Sequence, residues 1–401
     1  MSSSSSSSFS RSSSSSFERR RVFCNKKRKQ RKRVEEKILT QSTPTAGKES
    51  SSSSLEIGNV TLGTMTFGNQ NNELEAHEQM NIAYDEYNVK TIDTAEMYAV
   101  PFDERWQGKT DEFIGSWMKG RGNRSEVCLL TKVAGRSEMK LRGREKGEEN
   151  RLTEKQIIRS VECSLERLQT DYVDLLQIHW PDRYVSLFGQ KPYERKNERS
   201  DDEITFEEQA SAMQKLIESG KVRFSGLSNE TSFGVSEFAS LSKYENKPKM
   251  QTIQNGYNLL QRIAFETDLN ETCSKHNVLL LAYSPLAGGA LTGKYLDEAA
   301  PKNSRFNLFP GYMSRFNDKN LRECLFAYRA LAIESGMSLT ELSLRFVRDR
   351  DFVHSTVIGA TSTAQLRENL KALLESKPLS ADINLEIERI YRKYRDPAQL
   401  L

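Results

Sequence analysis

Long apolar runs and closely spaced cysteines are both missing from this 401-residue sequence. No stretch approaches the ~20 apolar residues that a membrane-spanning helix needs, so we expect no contact with a membrane. The five cysteines are scattered, no CxxC occurs, and only four histidines are present, so no cluster has the spacing of metal ligands. We therefore expect reduced thiols in an intracellular compartment and no metal site.

A net positive charge is missing outside the first 33 residues. That segment holds eleven lysines and arginines and one acid, whereas the whole chain has a net charge of only +4. The remainder of the chain is therefore acidic. A body that bound nucleic acid would carry a basic surface, so the charge balance argues against a nucleic-acid partner.

Residues 1–54 have the composition of a leader rather than of a folded domain. The opening MSSSSSSSFSRSSSSSFERRRVFC is rich in serine, contains arginine and has a single acid. This composition is typical of an organelle transit peptide, and the serine excess favours the chloroplast stroma over the mitochondrion. The basic run 25–33 leaves a nuclear signal or an RNA-binding tail open, with a nuclear or cytoplasmic location. We expect 1–54 to be disordered or removed, and 55–401 to be the folded domain.

From residue 55 onward, apolar runs of strand length alternate with helical patterns. Eight strands are predicted, at 60–67, 89–95, 126–133, 172–180, 221–229, 249–258, 278–286 and 355–361. Helices are predicted near 73–87, 111–120, 153–169, 207–220, 233–245, 263–277, 320–335 and 363–375, with 339–349 and 380–395 outside the barrel count. This order predicts an α/β fold, a single (β/α)8 TIM barrel. The rival, an open doubly wound sheet, lacks a GxGxxG after its first strand.

Polar side chains end several of the predicted strands. Asp93 ends the second strand with Tyr98 five residues later, Lys132 ends the third, and His179 ends the fourth. Each alone has an ordinary explanation, since an aspartate after a strand often caps a helix and a buried histidine is often only hydrogen-bonded. Together they fall on three consecutive strands at the end where barrel enzymes carry their chemistry.

These four side chains also form a chemical unit. A phenol has a pKa near 10, and a neighbouring ammonium is expected to lower it. A carboxylate would hold the lysine charged, and an imidazole would orient a carbonyl group. Such a set supplies a proton to an oxygen that becomes negative as hydride reaches its carbon.

At these residues the sequence resembles the aldo-keto reductase superfamily. The words DTAEMY, LLTKV, QIHWP, GLSNE, TIQNGYNLL, LLAYSPLAGGALTGKY and IGATSTAQLRENL occur in the family's order across roughly 55–395. LGTMTFG and AEMYAVP are most similar to the bacterial Tas-like branch, near the potassium-channel β-subunit-like reductases. The resemblance implies that Asp93, Tyr98, Lys132 and His179 are the catalytic tetrad.

The resemblance also implies NADP(H) bound without a Rossmann motif. Tyr283 would stack on the nicotinamide, and Arg305 would pair with the 2′-phosphate. The other implied cofactor contacts are Ser228, Asn229 and Gln254 at the carboxamide; Ser284, Pro285, Leu286, Gly288 and Lys294 along the pyrophosphate; Thr64, Met65 and Asp93 at the ribose; and Gly359, Thr361, Gln365, Glu368 and Asn369 at the adenosine.

One departure from the family concerns the adenosine end. Many members carry a Lys-Ser pair after the eighth strand and an arginine in the next helix, where this chain has Gly359, Ala360 and Gln365. The preference for NADPH therefore depends on Lys294 and Arg305. The alternative for these two is a pair of solvated loop charges.

The expected substrate is a small molecule with a carbonyl group. Its pocket would comprise Met65, Tyr98, His179 and Trp180, with the 181–202 loop as a partial lid. The expected function is NADPH-dependent reduction of an aldehyde or ketone by hydride transfer, with Tyr98 as general acid. The alternative is a non-catalytic regulatory subunit of reductase fold that senses NADP(H).

Overall fold

Eight parallel strands pair in chain order, and the eighth pairs with the first, which closes a barrel. The computed structural model describes residues 54–145, 147–189, 192–297 and 300–398. The predicted (β/α)8 class is confirmed. The strands are β1 (Val60–Gly63), β2 (Thr91–Asp93), β3 (Cys128–Val133), β4 (Val173–Ile178), β5 (Val222–Ser228), β6 (Met250–Gly256), β7 (Leu279–Tyr283) and β8 (Val353–Ile358).

Helices follow the strands and cover the barrel. They are α1 (Glu73–Asn81), α2 (Lys109–Arg121), α3 (Glu154–Leu168), α4 (Phe206–Glu218), α5 (Ser232–Tyr244), α6 (Asn270–His276), α7 (Arg305–Leu308), α8 (Arg322–Glu334), α9 (Leu339–Arg348), α10 (Thr363–Leu374) and α11 (Ala381–Lys393). Thr153 and Thr205 begin α3 and α4, because each side chain accepts a hydrogen bond from a backbone N–H of the first turn. The apolar core fills the space between strands and helices.

The helical period of α3 shows how the sequence directs this packing. Ile157, Val161, Leu165 and Leu168 recur at three- and four-residue spacing, and all four are buried. The opposite face carries charged residues. The face predicted from the sequence is therefore the one that packs against the barrel and its neighbouring helices.

The helix that covers the barrel between β7 and β8 is not the predicted one. From the sequence, the 320–335 helix is expected in the ring around the barrel and 339–349 outside it. In the structure, α9 packs against β8 and α10, whereas α8 packs against α9 and α11. The reason lies in burial: α9 has Leu342, Leu344 and Phe346 fully buried, while α8 leaves Ile333 67% exposed.

Two long loops cross the carboxyl end of the barrel, which we name the β4 loop (residues 179–205) and the β7 loop (residues 284–321). The buried carboxylate of Asp182 fastens the β4 loop. It accepts hydrogen bonds from the Arg151 guanidinium at 2.8 and 2.9 Å and from the backbone N–H of Ile204 at 3.0 Å. The two ends of the β4 loop are therefore tied to one carboxylate.

The leader predicted at 1–54 lies outside the described residues apart from Ser54. Residues 57–401 form one compact unit. In the described part of the chain no helix is both long and apolar enough to cross a membrane, and no group of three ligands has the geometry of a metal site. Cys163, Cys273 and Cys324 are free thiols.

Candidate active site

A buried ion pair forms the centre of the site. Asp93 is the last residue of β2, and its Oδ2 lies 2.7 Å from the Nζ of Lys132 in the neighbouring β3. The exposed fractions of the two side chains are 2% and 0%. Lys132 Nζ also donates to the Thr94 carbonyl at 2.8 Å. The other Asp93 oxygen accepts from Gln254 Nε2 at 2.9 Å and from Gln177 Nε2 at 3.5 Å.

Tyr98 lies between Lys132 of this pair and His179. Its hydroxyl is 3.4 Å from Lys132 Nζ, and its ring meets that of His179 edge-on, with centroids 5.8 Å apart. The backbone N–H of His179 donates to the Val133 carbonyl at 2.8 Å, which fixes the histidine one residue beyond β4. The structure thus brings together all four residues of the predicted tetrad.

Next to the tetrad, the chain segments that follow β3 and β4 approach each other closely at a glycine. A Cβ at Gly135 would lie 2.0 Å from the Trp180 carbonyl oxygen, so the chain leaving β3 requires glycine at this close approach. The Trp180 indole donates to the Arg136 carbonyl at 3.1 Å and its ring lies 4.8 Å from that of His179. Trp180 is thereby held against the histidine.

The electrostatics of the tetrad differ in one respect from the sequence argument. A lowered pKa was expected for Tyr98, but burial, followed by the negative charge of Asp93, raises its pKa well above the ordinary value. The ammonium of Lys132 donates to the Asp93 carboxylate at 2.7 Å and, over a longer distance, to the Tyr98 hydroxyl at 3.4 Å, and burial lowers its own pKa. Burial and the Lys132 charge hold the pKa of His179 well below its ordinary value. The phenol is therefore protonated and the imidazole neutral at pH 7.

An apolar cluster surrounds the Tyr98 ring. Trp180 belongs to it, and Met65 packs against it, so three of the four predicted substrate contacts share one surface and His179 lies beside them. Tyr312 and Leu187 also pack against this cluster. They come from the β7 and β4 loops, and no sequence pattern indicated either residue.

Hydrogen bonds join the predicted nicotinamide contacts to one another. The Tyr283 hydroxyl donates to Asn229 Oδ1 at 2.6 Å, and Asn229 Nδ2 donates to the His179 carbonyl at 2.8 Å. Ser228 Oγ donates to the Gln254 carbonyl at 2.8 Å. The ends of β5, β6 and β7 are thus fixed around the ring of Tyr283.

The start of the β7 loop curls through left-handed conformations. Ser284, Ala287 and Gly288 have φ values of 53°, 48° and 65°. Tight turns form across Ser284–Ala287 and Leu286–Gly289. These turns lead the chain from the tetrad towards Lys294.

Two cations, Lys294 and Arg305, lie beyond these turns, and neither has a carboxylate partner among the described residues. Arg305 has a buried Nε without a hydrogen-bond partner, and burial lowers its pKa. Burial, followed by the charge of Arg305, lowers the pKa of Lys294. Two neighbouring half-buried cations without a counter-ion in the described part of the chain suit a phosphate group, so this end fits the dinucleotide that the resemblance implies.

The predicted adenosine contacts form the turn from β8 into α10. Gln365 Oε1 accepts from the backbone N–H and the hydroxyl of Thr361, both at 3.2 Å. Asn369 is buried, and a Cβ at Gly359 would lie 3.2 Å from the Gly63 carbonyl. Glu368 is exposed and lines an open groove of about 700 Å³ between α10 and the start of α9. On the β1 side, Thr64 Oγ1 donates to the Asp93 carbonyl at 2.8 Å.

Sequence reasoning missed Gln177, whose amide reaches Asp93. The signal was present, because Gln177 stands two residues before His179 in QIHWP, and strand alternation puts both on one face. Arg315, a buried cation of the β7 loop, gave no such signal. Its position depends on how the loop folds back over the barrel.

The chain matches the model of the "Aldo/keto reductase family" over residues 59–392 and belongs to that family. It is similar to "Protein tas" of Escherichia coli, 40% identical over 349 residues, covering 86% of this chain and 97% of that protein. It is also similar to "Aldo-keto reductase" of Babesia bovis, 39% identical over 285 residues, 69% of this chain and 99% of that protein. "Probable voltage-gated potassium channel subunit beta" of Arabidopsis thaliana is 29% identical over 345 residues, 84% of this chain and 94% of that protein. Membership of this family makes the protein an oxidoreductase. The similarity to the tas protein and to the channel-subunit relative confirms the predicted branch of the family.

Proposed function

We propose that this protein reduces aldehydes or ketones to alcohols with NADPH, using Tyr98 as the general acid. The observation that carries the proposal is the Lys132 ammonium, 2.7 Å from Asp93 and 3.4 Å from the Tyr98 hydroxyl. A protonated phenol next to a fixed positive charge is suited to donate a proton to a developing oxyanion.

The reaction would proceed within the tetrad. The substrate carbonyl oxygen accepts hydrogen bonds from the Tyr98 hydroxyl and the His179 ring. A reduced nicotinamide, when bound, supplies the hydride to the carbonyl carbon. The oxyanion takes the proton of Tyr98, and the resulting phenolate is stabilised by Lys132, whose charge Asp93 balances. Trp180 and Met65 keep water from the reacting carbon.

The test of this role is Tyr98→Phe. We expect kcat/KM for an aromatic aldehyde to fall by at least ~100-fold, the usual contribution of a general acid, while NADPH still binds. Absorbance at the NADPH band measures turnover, and quenching of protein fluorescence measures binding. Tyr244→Phe is the matched control, since Tyr244 is 73% exposed. Retention of more than a tenth of the wild-type kcat/KM by the Tyr98 variant would assign the proton to another group.

The preference for NADPH over NADH is part of the proposal. It is supported by Arg305 and Lys294, which have no carboxylate partner among the residues that the structure describes, because a 2′-phosphate would supply the missing negative charge. Arg305→Gln should raise KM for NADPH by about 10-fold and leave KM for NADH nearly unchanged. An equal rise for both cofactors would place Arg305 elsewhere on the dinucleotide.

A regulatory role is the second candidate, favoured by the similarity to the Arabidopsis protein named as a probable channel subunit. The assembled tetrad favours turnover, because a sensor has no need of a proton donor. A panel of aldehydes and ketones separates the two functions. Tight NADPH binding without oxidation on the whole panel would support the regulator.

We propose that residues 1–54 direct the protein to the chloroplast stroma, on their composition alone. A fluorescent protein fused to the full chain should enter plastids. Nuclear fluorescence that disappears when 25–33 are deleted would support the nuclear-signal alternative instead.

A further inference from the structure

Arg315 is a buried guanidinium that lacks a counter-ion among the described residues. The residue is 8% exposed, and its Nε has no hydrogen-bond partner. No carboxylate in the described part of the chain pairs with it, although most other buried arginines, such as Arg144 and Arg167, have one. Burying a charge without a partner is costly, so such a group is usually completed by a ligand.

The guanidinium lies where the two long loops meet. Arg315 belongs to the turn Ser314–Phe316 of the β7 loop, and its Cζ is 5.6 Å from the ring centroid of Phe188 in the β4 loop. It is 4.4 Å from the ring centroid of Phe316. Aromatic rings over the guanidinium fix its plane and leave its N–H edge for a planar anion.

Arg315 faces the substrate side of the site. The pKa of Tyr283 is raised to about 12 by burial, and the nearby charge of Arg315 opposes that rise. Tyr312, three residues before Arg315, packs against the apolar cluster around Tyr98, and so does Leu187, which precedes the Phe188 ring that lies 5.6 Å from Arg315. Arg315 is therefore close to both the predicted nicotinamide-stacking ring and the substrate pocket.

The cations at the phosphate end form a separate pair. Arg305 donates to the Met313 sulfur at 3.9 Å, and the Lys294 ammonium lies 5.4 Å from the ring centroid of Tyr295, which packs on Phe306 beside Arg305. Arg315 instead lies against Phe188 of the β4 loop. A dinucleotide bound along the β7 loop would therefore satisfy Lys294 and Arg305. The negative partner of Arg315 must then come with the second reactant.

We propose that Arg315 binds a carboxylate on the substrate, so that the enzyme prefers carbonyl compounds that carry a carboxylate. This inference deepens the proposed function and rests on it. A carboxylate accepts two parallel hydrogen bonds from the guanidinium, which places the far end of the substrate and leaves the carbonyl at Tyr98. Arg315 is a specificity residue and takes no part in the transfer of hydride or proton.

The test compares acids with their neutral esters. The probes are 3- and 4-carboxybenzaldehyde, each beside its methyl ester, because the two isomers present the carboxylate at different distances. In the wild type, at least one acid should have a kcat/KM about 10-fold or more above that of its ester. Arg315→Gln should lower this acid-to-ester ratio by about 10- to 100-fold, the effect of losing charge-assisted hydrogen bonds. Arg315→Lys should keep part of the ratio.

Controls separate charge from folding. Lys319→Gln removes an exposed cation from the same loop and should leave the ratio unchanged. Thermal unfolding checks that each variant is folded. Calorimetry with 4-(hydroxymethyl)benzoate and NADP⁺ gives a readout that does not require turnover: binding should weaken about 10- to 100-fold in Arg315→Gln.

The outcomes distinguish this inference from the proposed function. If no aldehyde is reduced but the benzoate binds and Arg315→Gln abolishes that binding, the anion site stands and the reductase function fails. Reduction of acids and esters with equal kcat/KM by the wild type overturns the anion site. So does an Arg315→Gln variant in which only KM for NADPH rises, because Arg315 would then bind the cofactor.

Discussion

The charge of Lys132 lies where water does not reach it. Its side chain has no exposed surface, and among the described residues its ion-pair partner is the Asp93 carboxylate. A buried ion pair adds little to stability over apolar residues, but removing one partner leaves the other charge uncompensated.

We predict that Lys132→Met lowers the free energy of unfolding by about 3–5 kcal/mol, because the buried Asp93 carboxylate loses its ion-pair partner. Urea denaturation followed by circular dichroism measures the change. The double variant Asp93→Asn with Lys132→Met should lose less than the Lys132 variant alone. A loss equal to the sum of the two single variants would show that the pair is not coupled.

We predict a broad pH plateau for reduction. The active Tyr98 is protonated, and its pKa lies well above 10.0, so kcat/KM should fall only above about pH 10. The active His179 is neutral, and its pKa lies well below 6.5, so the acid limb should begin only below about pH 6.5. A pH profile of kcat/KM checks both limbs. A basic limb centred near pH 8 would mean that Lys132 lowers the phenol pKa after all.

At this scale, sequence reasoning identified which residues meet but not the sign of their interaction. Tyr98, Lys132 and His179 follow from strand ends at one rim. The direction of the Tyr98 pKa depends on how deeply the phenol is buried and on its distance from the Asp93 carboxylate, and sequence contains neither quantity. Arg315 was missed for a similar reason, because loop residues follow no period.

At the scale of elements, α2 and α3 approach so closely that a side chain does not fit between them. A Cβ at Gly115 of α2 would lie 2.5 Å from the Arg167 carbonyl oxygen of α3. Gly120, in the same helix, has no atom within 4 Å of the corresponding position. Substituting each glycine by alanine therefore distinguishes the effect of packing, at Gly115, from the effect of helix propensity, at Gly120.

We predict that Gly115→Ala lowers the free energy of unfolding by about 1–3 kcal/mol, because α2 and α3 must move apart. Gly120→Ala should instead raise it by up to about 1 kcal/mol, the gain in helix propensity. Thermal and urea unfolding of both variants measure the difference. A stabilised Gly115→Ala would show that the two helices can separate without cost.

The elements themselves were largely predictable, since period and length identify eight strands and the buried face of α3. The assignment of the ring helix before β8 was wrong, because α8 and α9 are adjacent in sequence and both contain apolar residues. Which of the two helices packs in the ring depends on which one has an apolar surface that β8 and α10 can cover. Leu342, Leu344 and Phe346 of α9 provide it, and that match is a property of the folded barrel.

At the scale of the whole molecule, charge and fold are separated along the chain. The basic excess lies in residues 1–33, and the compact unit begins at Ile57. We predict that a chain starting at Ser54 has a Tm within about 2 °C of that of the full-length protein and an unchanged kcat. Removing residues that lie outside the compact unit should change the free energy of unfolding by only ~0.5 kcal/mol, which shifts Tm little. Differential scanning calorimetry and a steady-state assay check this. A drop of 5 °C or more would assign the leader a part in stability.

The Asp93 carboxylate collects partners from across half the circumference of the barrel. Lys132 comes from β3, Gln177 from β4 and Gln254 from β6. None of these contacts is complete until the strands that carry them stand in register. The carboxylate therefore shows whether the barrel has closed: a refolding intermediate with β6 still unpaired would have strands and helices, but Asp93 would lack its hydrogen bond from Gln254. Recovery of catalysis should mark the moment when the last strands pair, later than the recovery of helical signal.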